Sequence, residues 1–101
     1  MELLHPHCAG LDIHKETVVA CVRHLRSGKA TTGIKTFKTT TEELIALSDW
    51  LATEDCTHIV MEATGVYWKP VWHILSDGEF ELVLANAGHV KRKVRRGSRP
   101  L

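Results

Sequence analysis

Two acids occupy positions where an acid needs a reason. Asp12 lies inside the mainly apolar run Cys8-Ala-Gly-Leu-Asp-Ile13, and Glu62 closes a second such run, Thr57-His-Ile-Val-Met-Glu62. Carboxylates held close together repel, and the usual remedies are a shared proton or a divalent cation. Magnesium takes oxygen ligands and keeps several waters, so two acids plus a substrate phosphate begin a coordination shell for it. Two such ions can stabilise the attacking and leaving oxygens of a phosphodiester displacement. Acids at strand ends also serve as helix caps or solvated turn residues, and the pattern by itself leaves both readings open.

Whether the two acids can meet depends on the elements that carry them. Cys8 to Ile13 reads as a strand, and Thr17 to Val22, rich in β-branched residues, as a second. Ser27-Gly28-Lys29 has turn chemistry, and a third strand is expected over Ile34 to Thr39. Strands this close in sequence form an antiparallel meander, because parallel pairs need long crossovers. The period then changes. Thr40 and Glu43 have the spacing of a capping box, and Leu44, Leu47, Ser48 and Leu51 follow at helical spacing to an end near Thr53.

Thr57 to Glu62 is too short for a helix and reads as a buried strand. A second helix is expected after Ala63-Thr64-Gly65, with Pro70 in its first turn, Val71, Ile74 and Leu75 on its core face, and Asp77-Gly78 as its stop. Phe80 to Ala85 is a fifth strand, apolar except for Glu81. Right-handed crossovers place the fourth strand beside the first and parallel to it, with the fifth beyond. The expected fold class is therefore α/β, a ribonuclease H-like mixed sheet in the order 3-2-1-4-5 with helices packed on it. It brings Asp12 and Glu62 to the carboxyl ends of neighbouring parallel strands, where α/β sheets bind ligands.

Composition narrows the alternatives. The chain has 101 residues, enough for one small domain, and its 44% apolar and 25% charged residues are those of a globular protein. Formal net charge is +1, but six of the basic residues fall between Lys91 and Arg99 with no acid among them. The three cysteines, Cys8, Cys21 and Cys56, are widely spaced without a C-x-x-C, which argues against a disulfide framework or zinc site. No apolar run is long enough to span a membrane, and the N-terminus lacks a signal-peptide pattern, so a cytoplasmic, non-membrane protein is expected.

Three segments carry a more specific message. Gly10-Leu-Asp-Ile-His-Lys15, Met61-Glu-Ala-Thr-Gly-Val-Tyr-Trp68 and Leu84-Ala-Asn-Ala-Gly-His-Val-Lys91 resemble, in order and spacing, successive blocks of the insertion-sequence-110 transposases. The resemblance runs from about Cys8 to Lys91. It implies an N-terminal domain like that of Holliday-junction resolvases, with four acids (Asp, Glu, Asp, Asp) that bind magnesium. It also implies a separate C-terminal domain with a serine, and cutting and rejoining of DNA guided by a structured RNA of the element. Asp12 matches the first acid and Glu62 the second, as catalytic and metal-binding residues. The Thr-Asp-x-x-Asp motif expected after Lys91 is replaced by Arg-Lys-Val-Arg-Arg-Gly-Ser-Arg-Pro-Leu101, and no acid follows Glu81. The expectation is a truncated domain, inactive on its own, with a lost reading frame as one explanation.

The division expected is residues 1–7 as a disordered N-terminus, residues 8–90 as the partial ribonuclease H-like domain, and residues 91–101 as a basic unstructured tail. Lys91, Arg92, Lys93, Arg95 and Arg96 could contact phosphates, or belong to an unfolded peptide whose charge is accidental. Lys15, Thr64 and Gly65 stand beside the acids and are candidates for nucleic-acid contact, Gly65 through close backbone approach and a helix N-terminus. Tyr67, Trp68 and Trp72 could stack on bases, though aromatics on a helix against a sheet more often pack in the core. His5 and His7 lack a third ligand. A transposase or recombinase acting on DNA is the leading reading. Its rivals are a non-catalytic nucleic-acid-binding fragment and a functionless remnant, with a guide RNA and a second copy of the chain as further partner classes.

Overall fold

Every second residue of the first strand, β1 (His7–Ile13), is buried: Ala9, Leu11 and Ile13, with Asp12 between them exposed. The same alternation buries Val18, Ala20 and Val22 of β2 (Thr17–Arg26), Ile59 and Met61 of β4 (His58–Ala63), and Leu82 and Leu84 of β5 (Glu81–Asn86). These residues form one core with Leu44, Leu47 and Leu51 of α1 (Thr41–Thr53) and Val71, Trp72 and Leu75 of α2 (Trp68–Leu75). Because side chains alternate across a strand, both helices cover one face of the sheet and the interleaved residues look out from the other. The structure, a computed structural model, describes residues 7–26, 28–86 and 89–93.

β3 (Lys29–Lys38) pairs antiparallel with β2 along its whole length, closing on a turn at Gly28, whose φ of 76° suits glycine. β1 has β2 antiparallel on one side and β4 parallel on the other, and β5 runs parallel to β4. The order 3-2-1-4-5 expected from the crossovers is therefore the order observed, extended by one strand: β3-β2-β1-β4-β5-β6. The sixth, β6 (His89–Lys93), pairs antiparallel with β5 and corrects the reading of residues 91–101 as unstructured for the first three of them. Without β6 the outer N–H and C=O groups of β5 would have no ladder partner, and a basic segment can supply them as well as an apolar one. Residues 94–101 lie outside the described residues, as do residues 1–6. His7, expected in a disordered terminus, opens β1 opposite His24.

Two local expectations change in detail. Thr40 caps α1 through its hydroxyl, which accepts from the Glu43 N–H at 3.3 Å, but the Glu43 carboxylate accepts from the Lys38 N–H at 3.0 Å rather than closing a reciprocal box. Helix α2 begins at Trp68, not directly after Gly65, because Thr64 to Tyr67 form a turn first. Pro70 is then the third helical residue, where its missing N–H has no helical partner to lose.

Candidate metal and nucleic-acid site

In the parallel ladder between β1 and β4, Asp12 and Glu62 are direct partners. Neighbouring strands lie about 5 Å apart, so the two acids leave the sheet side by side on the face away from the helices. Both are exposed. Gly10, Val19, Cys21 and Val60 join them in lining a shallow hollow of about 250 Å³. Nothing stands within 4 Å of where a side chain on Gly10 would begin, so that glycine keeps the floor open.

His14 completes the immediate surroundings. Its Nε2 is 3.1 Å from Asp12 Oδ2, and as an N–H donor it engages one of the two carboxylate oxygens. The turn that bears His14 is fixed from two directions. The His14 N–H donates to Thr17 O at 2.8 Å, while Thr39, just past β3, donates its hydroxyl to Lys15 O at 2.9 Å and its N–H to Glu16 O at 3.2 Å. Lys15 is exposed at this same end of the sheet.

Thr64 and Gly65 follow β4 directly, so they belong to the Asp12–Glu62 end as expected. Gly65 has a φ of 55° and open space where a side chain would sit. The three aromatics of this region divide. Trp68 and Trp72 meet edge to face, with centroids 6.1 Å apart at 87°, and Trp72 is buried, so these two pack rather than stack on a ligand. Tyr67 stays exposed on the turn. Lys91, Arg92 and Lys93 are positions on β6, whereas Arg95 and Arg96 lie outside the described residues.

The donor chemistry fits a hard divalent cation of the magnesium type. Among the described residues no three His, Cys, Asp or Glu side chains converge on one point, so a closed, protein-only cage is not on offer. Two exposed carboxylates at one register position are what magnesium uses when water and substrate phosphate supply its other ligands. Glu81 does not contribute. It sits at the far end of β5, opposite His58, and bonds that ring at 2.6 Å, while Glu62 faces Ala85.

At that far end the structure brings together groups the sequence did not connect. His7 Nδ1 and His24 Nδ1 are 3.1 Å apart, and His24 Nε2 is 3.0 Å from Glu54 Oε1. The register of β1 on β2 creates this chain of contacts, and no spacing along the sequence signals it. A larger hollow of about 510 Å³, rimmed by Asp49, Asp55, Asp77 and Glu79, also lies there, away from Asp12 and Glu62. The buried Cys56 thiol is pushed up to about 12, chiefly by burial and then by Cys8, Glu54 and Asp55, and burial raises Cys8 as well. Neither is a poised nucleophile.

A mixed sheet with β4 inserted parallel beside β1, and an acid on each of those two strands, defines a ribonuclease H-like α/β domain. Solved structures share the arrangement. RuvC of T. thermophilus, in complex with a Holliday junction substrate, matches at 12% identity and a TM-score of 0.57 over 81% of this chain and 65% of that one. A Ppx/GppA family member from Aquifex aeolicus matches at 10% identity and a TM-score of 0.55 over 79% of this chain and 35% of that one. Identities this low speak for the fold alone, and the chain spans only part of either protein. No curated protein matches in sequence. The DEDD family of insertion-sequence-110 type, described as Transposase, matches residues 9–100. The chain belongs to this transposase family.

Proposed function

We propose that this domain supplies the first two carboxylates of a magnesium-dependent DNA strand-cleavage centre, with Asp12 and Glu62 as the ligands. The observation that carries the reading is their direct pairing in register on adjacent parallel strands, with both side chains exposed on the open face. A bound divalent cation would polarise a phosphodiester and lower the pKa of a coordinated water. The protein's part is positional. Asp12 and Glu62 hold their oxygens at one end of the sheet, and His14 orients the Asp12 carboxylate. Lys15 and Thr64, beside the uncrowded Cα of Gly65, receive a DNA phosphate at the same end. The basic positions Lys91, Arg92, Lys93, Arg95 and Arg96 add sequence-independent attraction for the duplex.

On this reading Asp12 and Glu62 by themselves hold one ion weakly and a second not at all, so strand cleavage needs carboxylates beyond these two. Manganese is a paramagnetic substitute for magnesium, and titrating it into the isotopically labelled protein tests the proposal. Amide signals around Asp12 and Glu62 should broaden first, and Glu62→Gln should suppress the effect. DNA affinity should fall steeply with salt, each lost phosphate contact reducing the log–log slope by about 0.9. Broadening centred elsewhere, or none at all, would remove the metal from this site.

A further inference from the structure

We infer that Thr39 is a positioning residue for the Asp12–Glu62 site, acting through the turn that joins β1 to β2. The inference rests on the proposed site but concerns a residue outside the blocks that resemble the family. Its basis is a chain of contacts. The β2–β3 ladder ends at the pair Thr17–Lys38, so residues 14–16 lie beyond it. There Thr39 makes two hydrogen bonds at once, from its hydroxyl to Lys15 O at 2.9 Å and from its N–H to Glu16 O at 3.2 Å. The gripped turn bears His14, whose ring holds Asp12, and the exposed Lys15.

Thr39 is itself immobilised on both sides. Lys38 donates its N–H to the Glu43 carboxylate at 3.0 Å, and Thr40 caps α1, whose leucines are fully buried. The rigidity of the helix layer therefore reaches the exposed site through one threonine. A hydroxyl donor is needed, because a turn carbonyl without it would be left to water and the turn would gain freedom. Partners that orient a metal ligand influence affinity although they never touch the metal.

Thr39→Val keeps the shape and the backbone N–H but removes the hydroxyl donor, and Thr39→Ser restores it. The first readout needs no metal: the ring nitrogen resonances of His14 and the side-chain carboxyl resonance of Asp12, at fixed neutral pH. Valine should move both toward values for a freely rotating pair, and serine should return them. The second readout is manganese affinity, expected to weaken about fivefold in the valine variant, the equivalent of one net hydrogen bond. If valine leaves the His14 and Asp12 signals at their wild-type positions, the inference is wrong. If wild type takes up no manganese at Asp12 and Glu62, the metal reading fails while the His14 signals still decide the role of Thr39. Should the valine chain not fold, Thr39→Ala, smaller and without a side-chain donor, gives the same comparison.

Discussion

Replacing Glu62 with glutamine should stabilise the metal-free chain, and magnesium should reverse the order. Glu62 and Asp12 are direct partners across a parallel pair whose strands lie about 5 Å apart, and that spacing sets the scale for their charges. Coulomb's law in a water-like dielectric gives about 0.8 kcal/mol of repulsion at that separation. Exposure and salt reduce it to about 0.5 kcal/mol, which for a domain of this size raises the melting temperature by about 2–4 °C. Glutamine preserves the shape and leaves the His14–Asp12 contact untouched.

Magnesium acts in the other direction. A cation at ten times its dissociation constant adds about 1.4 kcal/mol to the wild-type chain. The variant retains one carboxylate and gains less, so the two melting curves should exchange order. Thermal unfolding followed by circular dichroism, with a chelator and then with millimolar magnesium at matched ionic strength, provides the comparison. A glutamine variant that melts below wild type in chelator, or an order that magnesium leaves unchanged, would refute the reasoning.

Other perturbations test the frame that carries the site. Leu47, fully buried on α1 against the sheet, should cost about 3 kcal/mol when cut to alanine, seen as a lower urea midpoint. Thr40→Ala removes the hydroxyl that accepts from the Glu43 N–H and should cost about 1 kcal/mol in the same assay. Of the three thiols, only Cys21 is exposed and should react with a thiol reagent before unfolding, while Cys8 and Cys56 become available afterwards. The Cys56 thiol is held neutral to about 12, above its ordinary value near 9. Its contribution to stability is thus complete below pH 9 and is lost as pH rises from there toward 12, which alkaline unfolding curves of Cys56→Ala against wild type should reveal.

The parts of the fold that were legible in sequence were those where burial imposes a period. Val18, Ala20 and Val22 alternate because one face of β2 is buried, and Leu44, Leu47 and Leu51 recur because one side of α1 is. Burial stops short of the strand ends, and there the signal fails. Leu25 is exposed, as are Lys29 to Thr32, yet β2 and β3 continue as a full ladder from Thr17–Lys38 to Arg26–Lys29, held by main-chain bonds that any residue can make. His89 to Lys93 was missed for the same reason, since β5 recruits it through backbone groups. Asp12 and Glu62 could be found because an acid inside an apolar run stands out. Thr39 could not, because a threonine after a strand has no distinctive spacing and its two bonds reach back to Lys15 and Glu16 across a turn.

The two neighbours of β1 differ in how far along the chain they must be sought. β2 follows after a short turn, whereas β4 arrives only after β2, β3 and α1 have been passed. Local pairings close cheaply and early, and distant ones wait on a larger loss of chain entropy. Asp12 is therefore laid down with the meander, and Glu62 joins it only when β4 is seated. The mutual repulsion of the acids falls on that late step, so Glu62→Gln should slow unfolding in stopped-flow measurements more than it hastens refolding. A partly made chain thus carries one acid in place and one adrift, and the proposed cation site comes into being only with the finished sheet.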